Sequence, residues 1–400
     1  MELTLLGTGA PEGLPRPECP CAACATALGT RSRAATALLV DDALLLDLTP
    51  GAVFAAARAG HSLTGVRQVL LTHPHDGPAV ELPAGLPPAG RVPDGRELTL
   101  ISGHRVRAVA MDAPGTGYEV TGPEGTRMLY LPPGAAPSGL TEQAARPYDI
   151  VAGDVVGRPD AVARLRAVEA VGPHTEIVAV HLGHDAPPGA ELDRRLAAAG
   201  ARAVPDGTTL VVGEYRALPR VPRRTLVTGG ARSGKSVEAE RRLETFPEVV
   251  YVATGGRREG DADWAARIGL HRDRRPAAWR TEETCELVGL LAADGPPLLI
   301  DCLSLWLTDA MDRVDAWDDT AWAGGGRSAL RKRTAELVAA VRGTRRTLVA
   351  VTNETGSGVV PATAAGRRFR DELGRLNAAV ADECEQVLLV VAGQVLTLRG

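Results

Sequence analysis

Residues 1–213 carry short apolar runs separated by turn residues: ELTLLGTG, ALLVDDALLLDL, QVLLTHPHD, RMLYLPP, EIVAVHLGHD and TLVVG. Runs of this length, bounded by Gly, Pro and Asp, read as β-strands. Helical periodicity is sparse there, clearest in PGAVFAAARAG and ELDRRLAAAG. The pattern predicts a strand-rich α/β sandwich. GEYRALPRVPRR, with two prolines and four arginines, then breaks it. Residues 214–223 therefore read as a linker between a domain of 1–213 and one of 224–400.

Beyond the linker, strand and helix patterns alternate. RTLVTGG precedes SVEAERRLETF, EVVYVAT precedes DADWAARIGLH, PLLID leads into a longer helical stretch, and TLVAVTNE precedes RRFRDELGRLNAAVADEC. In the last of these, Phe369, Leu373, Leu376 and Val380 share one helical face. Such alternation implies a parallel sheet covered by helices on both faces, with ligands at the carboxyl ends of the strands. Gly229, Gly230, Thr254, Asp301, Thr352, Asn353 and Glu354 fall at those ends. WAGGGRS, near residue 325, reads as a mobile loop.

A length of 400 residues favours two domains, and 44% apolar with 24% charged residues suits a soluble globular protein. No stretch approaches the ~20 apolar residues of a membrane span. MELTLLGTGAPEG lacks a basic region before its apolar run and reads as a first strand, not a signal peptide. A net charge of −4 gives no general attraction to nucleic acid or anionic lipid. The expected compartment is the cytoplasm. Of six cysteines, Cys19, Cys21 and Cys24 cluster with the spacing C-x-C-x-x-C, which suits metal better than disulfides. His184 is a candidate fourth ligand, giving the closed Cys₃His geometry of structural zinc. Three reduced cysteines in a loop are the plainer alternative. Cys285, Cys302 and Cys384 read as small buried hydrophobes.

Gly229, Gly230, Ala231, Arg232, Ser233, Gly234, Lys235 and Ser236 satisfy G-x-x-x-x-G-K-[ST] between a strand and a helix. There the backbone N–H groups cradle phosphate oxygens, the lysine reaches the outer phosphates, and the serine hydroxyl is placed for Mg²⁺. The chain has only two lysines, Lys235 and Lys332, among its many arginines. A lysine is kept where a compact ammonium fits under the loop and a planar guanidinium does not. Asp301, ending an apolar run, reads as the second metal-orienting group; a strand-end turn cap is the alternative.

His271 is the only histidine after the linker. Trp264, Ile268 and His271 lie on one helical stripe, and Pro276 prevents the helix from running on. A lone helix-end histidine is ordinarily a partner for the helix dipole. Here Arg272, Arg274 and Arg275 surround it with charge suited to phosphates.

GGARSGKS, YVAT, AARIGLHRDRRPAAWRTEE, VTNETGSGVVP and RRFRDELGRLN occur in this order across 224–400. Together they resemble the bifunctional adenosylcobinamide kinase / adenosylcobinamide-phosphate guanylyltransferase family of cobalamin assembly. The resemblance implies a P-loop (RecA-like) parallel sheet, Mg²⁺, and ATP and GTP as substrates. It implies adenosylcobinamide and adenosylcobinamide phosphate as partners and a homotrimer. It makes His271 a covalent GMP carrier. It places nucleotide contacts on Gly229–Ser236, on Ala253, Thr254 and Gly255, on Arg272, Asp273, Arg274 and Arg275, and on Glu283 and Asp301. Leu270 departs from relatives that have a second histidine there. The alternatives are a P-loop kinase without guanylyl transfer, or a metallohydrolase fused to a nucleotide module.

ELTLLGTGAPEG, CPCAAC, LLLDL, LLTHPHD, AVHLGHD and VPDGTTLVV, over about 1–212, resemble the metallo-β-lactamase fold, an αββα sandwich. Active members carry H-x-H-x-D-H. This chain has His73-Pro74-His75-Asp76-Gly77-Pro78, with the aspartate one place early and proline for the last histidine. No acid follows MLYLPP, where a bridging carboxylate is expected. His73, His75 and His181 remain. A catalytically degenerate domain is expected.

Overall fold

The computed structural model describes residues 1–73, 82–140, 146–255 and 275–400. The chain divides into two compact units, Met1–Val221 and Pro222–Gly400. No helix among the described residues is long and apolar enough to cross a membrane.

The first unit holds two sheets. One has the order β13 (Thr208–Val211), β1 (Glu2–Gly7), β2 (Ala37–Val40), β3 (Leu44–Leu46), β4 (Gln68–Leu70), β5 (Ala89–Gly90). The other runs β12 (Ala201–Arg202), β11 (Glu176–Ala179), β10 (Ile150–Gly153), β9 (Arg127–Tyr130), β8 (Thr116–Thr121), β7 (Arg105–Ala110), β6 (Glu97–Thr99).

Strand side chains alternate between faces, so each strand serves two cores. Leu3, Leu5, Leu38, Val40, Leu44 and Leu46 meet Val106, Tyr118, Val120, Met128, Tyr130 and Ile150 in one buried layer between the sheets. The intervening residues Leu6, Leu39, Leu45 and Val69 pack outward on Ala52 and Ala56 of the helix Ala52–Arg58. On the far side, Leu129 and Val151 pack on Ala161 and Leu165 of the helix Pro159–Ala167. Ile177 and Ala179 pack on Leu192 and Leu196 of the helix Ala190–Ala198. This is the expected αββα sandwich. Pro159–Ala167 is a helix beyond the two clearest sequence patterns, because three polar residues interrupt PDAVARLRA.

The second unit is a seven-stranded sheet ordered β16 (Arg280–Glu283), β15 (Val250–Ala253), β17 (Leu298–Asp301), β18 (Leu348–Asn353), β14 (Arg224–Gly229), β19 (Gln386–Val391), β20 (Gln394–Arg399). All neighbours pair in parallel except β19 and β20. Central strands covered on both faces read as continuous apolar runs. One face packs on Leu303, Trp306, Leu307, Leu373, Leu376 and Val380, the last three from the helix Ala364–Asp382. The other face packs on Ala239, Leu243 and Trp279.

WAGGGRS is corrected. Residues Trp322–Gly326 form a wide helical turn continuing into the helix Arg327–Gly343, and Gly325 absorbs the kink at φ +143. Glycine tolerates that dihedral without a Cβ clash, so the glycine run bends the helix and does not end it.

Candidate active site

Parallel strands aim their carboxyl ends at one edge, and in the second unit the polar residues gather there. β14 ends at Gly229. A Cβ at this position would lie 2.5 Å from the Val390 carbonyl oxygen and 2.6 Å from Ser233 Oγ, so only glycine allows the turn. The loop then passes through Arg232 at φ +57 and Gly234 at φ +101 into the helix Lys235–Arg241. Backbone bonds hold it from three sides. Ser233 N donates to Gly230 O at 3.3 Å, Gly393 N to Ser233 O at 2.9 Å, and Glu354 N to Gly229 O at 3.0 Å. Lys235 Nζ donates to Gly230 O at 3.1 Å, arching back across the loop. Ser236 follows it in the first turn of the helix. Fixed donors around a glycine concavity suit a polyphosphate.

Register aligns the neighbouring strand ends. Ala253 pairs with Glu283 on one side and Asp301 on the other. Asp301 Oδ2 accepts a 2.7 Å bond from Tyr251 Oη. Burial, and then the adjacent Asp301 charge, push the Tyr251 hydroxyl far above its ordinary value, keeping it a donor. Arg275 lies over the Tyr251 ring, 3.2 Å from its centroid, and donates to Thr281 Oγ1 at 3.2 Å. Thr254 Oγ1 bonds the Cys302 carbonyl at 2.7 Å and the Cys302 N–H at 2.9 Å, while Gly255 follows at the described edge. His271, Arg272, Asp273 and Arg274 lie outside the described residues, as do Trp264 and Ile268.

Tyr251, Ser304 and Asn377 are site residues the sequence analysis did not single out. Tyr251 sits in the apolar run YVAT, where its hydroxyl was the signal, and Asn377 in RRFRDELGRLN, where one more polar residue among many gave none. Among the scattered cysteines, Cys302 and Cys384 are buried as expected. Cys285 is half-buried, donates to Thr254 O at 3.3 Å, and is pushed by burial up to about 11.

In the first unit, one ligand atom from each of Cys19, Cys21, Cys24 and His184 lies within 4.8 Å of the others. Cys19 Sγ is 3.2 Å from His184 Nδ1. Cys21 caps the helix Ala22–Thr26, and the Cys24 backbone N–H draws its thiol down to about 7. Three sulfurs and one imidazole nitrogen form a donor set that fits tetrahedral zinc.

The histidines of the H-x-H segment sit differently. Asp47, fully buried, accepts from Thr72 N, Thr72 Oγ1 and Tyr130 Oη, each at 2.7 Å. His73 Nδ1 is 2.8 Å from Thr72 Oγ1 and 3.8 Å from Asp47 Oδ2. His181 stacks on Tyr130, with its Nε2 3.0 Å from the Leu131 carbonyl oxygen. Burial holds this imidazole down at about 4, so it is neutral and donates to that oxygen. Leu131 follows β9, where the bridging carboxylate was expected. His75 and Asp76 lie outside the described residues.

The family model described as cobinamide kinase / cobinamide phosphate guanyltransferase matches residues 225–398. The bifunctional adenosylcobalamin biosynthesis protein CobP of Pseudomonas aeruginosa is 43% identical over 182 residues, covering 44% of this chain and 98% of its own. CobU of Salmonella typhimurium is 39% identical over 178 residues, covering 42% and 95%. The chain belongs to this family. The first unit lies outside that match. Among solved structures, Zn²⁺-bound PqqB from Methylobacterium extorquens is 16% identical with a TM-score of 0.39, covering 53% of this chain and 100% of its own. A diphosphatase of the PhnP family is 19% identical with a TM-score of 0.40, covering 52% and 96%.

Proposed function

We propose that the second unit phosphorylates adenosylcobinamide and then transfers GMP to the product, giving adenosylcobinamide-GDP. One observation carries this reading: a built phosphate loop, with Lys235 arched over it and Asp301 in register nearby, lies within a segment matching nearly the full length of the bifunctional relatives. In the first step, Gly229–Ser236 bind the triphosphate, and Lys235 supplies positive charge to its outer oxygens. Ser236 and Asp301 would hold Mg²⁺, which neutralises charge on the transferring phosphoryl group. Tyr251 keeps Asp301 oriented. The substrate hydroxyl forms the new bond to the γ-phosphorus, and the nucleoside diphosphate leaves.

In the second step, an imidazole nitrogen of His271 attacks the α-phosphorus of GTP and pyrophosphate leaves. A phosphate oxygen of adenosylcobinamide phosphate then displaces the histidine. Arg272, Arg274 and Arg275 bind the phosphates, and Ala253, Thr254, Gly255, Asp273 and Glu283 complete the nucleotide site.

For the first unit we infer a structural zinc on Cys19, Cys21, Cys24 and His184, and no hydrolytic centre. Asp47 spends its oxygens on Thr72 and Tyr130, and His181 spends Nε2 on the Leu131 carbonyl oxygen. Supplying the protein with adenosylcobinamide, ATP, GTP and Mg²⁺ tests the main reading. Mass spectrometry should find the phosphate first and the GDP derivative second; neither product would overturn it.

A further inference from the structure

A chain of buried polar contacts runs beneath the strand ends and, apart from Thr254 at its far end, has no part in the steps above. It begins on the helix Ala364–Asp382, where Asn377 Oδ1 accepts from Thr352 Oγ1 at 2.7 Å and Asn377 Nδ2 donates to Asn353 O at 3.0 Å. Asn353 Nδ2 donates to Ser304 Oγ at 2.9 Å, and Ser304 Oγ lies 2.9 Å from Cys302 Sγ. Through the Cys302 backbone the chain reaches Thr254. Thr352 is fully buried, and Thr254, Ser304 and Cys302 nearly so. Four elements are thus tied by side chains whose every partner is prescribed.

A buried network of this kind fixes geometry more than it adds stability. Its most locked member is Asn353, whose main chain and carboxamide nitrogen are both held. Asn353 is the last residue of β18 and pairs with Gly229, the first residue of the phosphate loop. β18 also lies beside β17, which carries Asp301. The carboxamide oxygen accepts no bond from the described residues. A half-buried acceptor on an immobilised side chain is therefore held between the phosphate loop and the metal-orienting carboxylate.

We propose that Asn353 Oδ1 receives the hydrogen bond of the acceptor hydroxyl and aligns that oxygen with the γ-phosphorus. Ser304, Thr352 and Asn377 act through it as positioning residues. This rests on the kinase reading given above. The hydroxyl oxygen forms the new P–O bond, the bond from the γ-phosphorus to the bridging oxygen breaks, and the diphosphate carries that oxygen away. The hydroxyl proton passes to an oxygen of the transferred phosphoryl group, because an amide is too weak a base to keep it. Alignment of a reacting pair is worth orders of magnitude in rate, and a late, loose transition state needs no strong base.

The test uses full-length protein with adenosylcobinamide and ATP or GTP. Asn353→Ala should lower kcat for phosphoryl transfer roughly 10- to 100-fold, as for a misplaced reactant, and leave the nucleotide Kd within about threefold. Asn353→Asp, which keeps an acceptor, should recover part of that loss. Ser304→Ala frees the carboxamide without removing it and should lower kcat by about threefold to tenfold at unchanged nucleotide Kd, a smaller loss than truncation of the acceptor itself. If Asn353→Ala does not fold, the Ser304→Ala result decides by the same criterion. Wild-type turnover in Asn353→Ala, or weaker nucleotide binding with kcat intact, overturns the inference alone. Absence of phosphorylation by the wild type overturns the kinase reading and the inference with it.

Discussion

Both units collect polar side chains at strand ends, and they treat them in opposite ways. In the second unit the loop Gly229–Gly234 is closed by backbone bonds, and Lys235 arches over it to donate to Gly230 O. Asp301 gives one oxygen to Tyr251, and the Asn353 carboxamide oxygen accepts no bond from the described residues. In the first unit Asp47 accepts three bonds from its own neighbours and His181 donates to Leu131 O. A binding site must leave part of its polar capacity unspent, whereas a stable core spends all of it. The two units thus differ in how much of this polar capacity the protein itself consumes.

The sharpest way to break this contrast is Lys235→Ala. The side chain leaves the first turn of the helix Lys235–Arg241 at an exposed contact, so its loss opens no cavity. Phosphoryl transfer should fall by roughly 10²–10³-fold or more, as for loss of a preorganised electrostatic group, with the melting curve unmoved. Near-normal phosphorylation of adenosylcobinamide would remove the phosphate loop from the mechanism.

Metal content comes next. Purified protein should hold about one zinc, as the four-donor cluster predicts. Cys21→Ser should release it and lower the melting temperature of the first unit. A loss of about 3 kcal/mol in a unit this size corresponds to roughly 6–12 °C. Metal content unaffected by the substitution would refute the Cys₃His assignment. Two further equivalents lost in His73→Ala, with hydrolysis of phosphodiesters, would give the first unit a hydrolytic centre.

The smallest effect is on acid stability. His181 titrates at about 4 in the folded chain because it is buried, below the ordinary 6.5. Between those values the unfolded chain binds the extra proton, so stability falls as pH drops through this window. The full contribution is on the order of 3 kcal/mol. His181→Gln keeps a nitrogen donor for Leu131 O and cannot titrate. It should flatten the first unit's stability profile from pH 6.5 to 4, as read by denaturant melts. An unchanged slope would mean that the imidazole is not sealed.

The sequence showed different parts of each unit for physical reasons. Short apolar runs exposed the sandwich because Leu3, Leu5 and Leu38 face one core while Leu6 and Leu39 face another. The phosphate loop was legible because Gly229 and Gly234 have no substitute at their dihedrals and contacts. Cys₃His was legible as spacing for the thiols, but His184 joins them across 165 residues from Cys19 only through the fold. Tyr251 escaped notice inside an apolar strand, and Asn377 among the many polar residues of an amphipathic helix. A single polar atom there has meaning only once its partner on another element is known. WAGGGRS misled for a related reason, since glycines that mark a loop in isolation can also relieve a bend inside a helix.

The most direct measurement concerns His271, because it separates two reactions on one site. Full-length protein is incubated with GTP labelled at the α-phosphate and Mg²⁺, denatured, and analysed by mass spectrometry. The account predicts one covalent GMP on His271, stable to alkali and labile to acid, as a phosphoramidate is. His271→Ala should carry no label and make no adenosylcobinamide-GDP, yet still form adenosylcobinamide phosphate, since the kinase step needs no enzyme-bound intermediate. Full guanylyl transfer by the alanine variant, or a label on another residue, would contradict it.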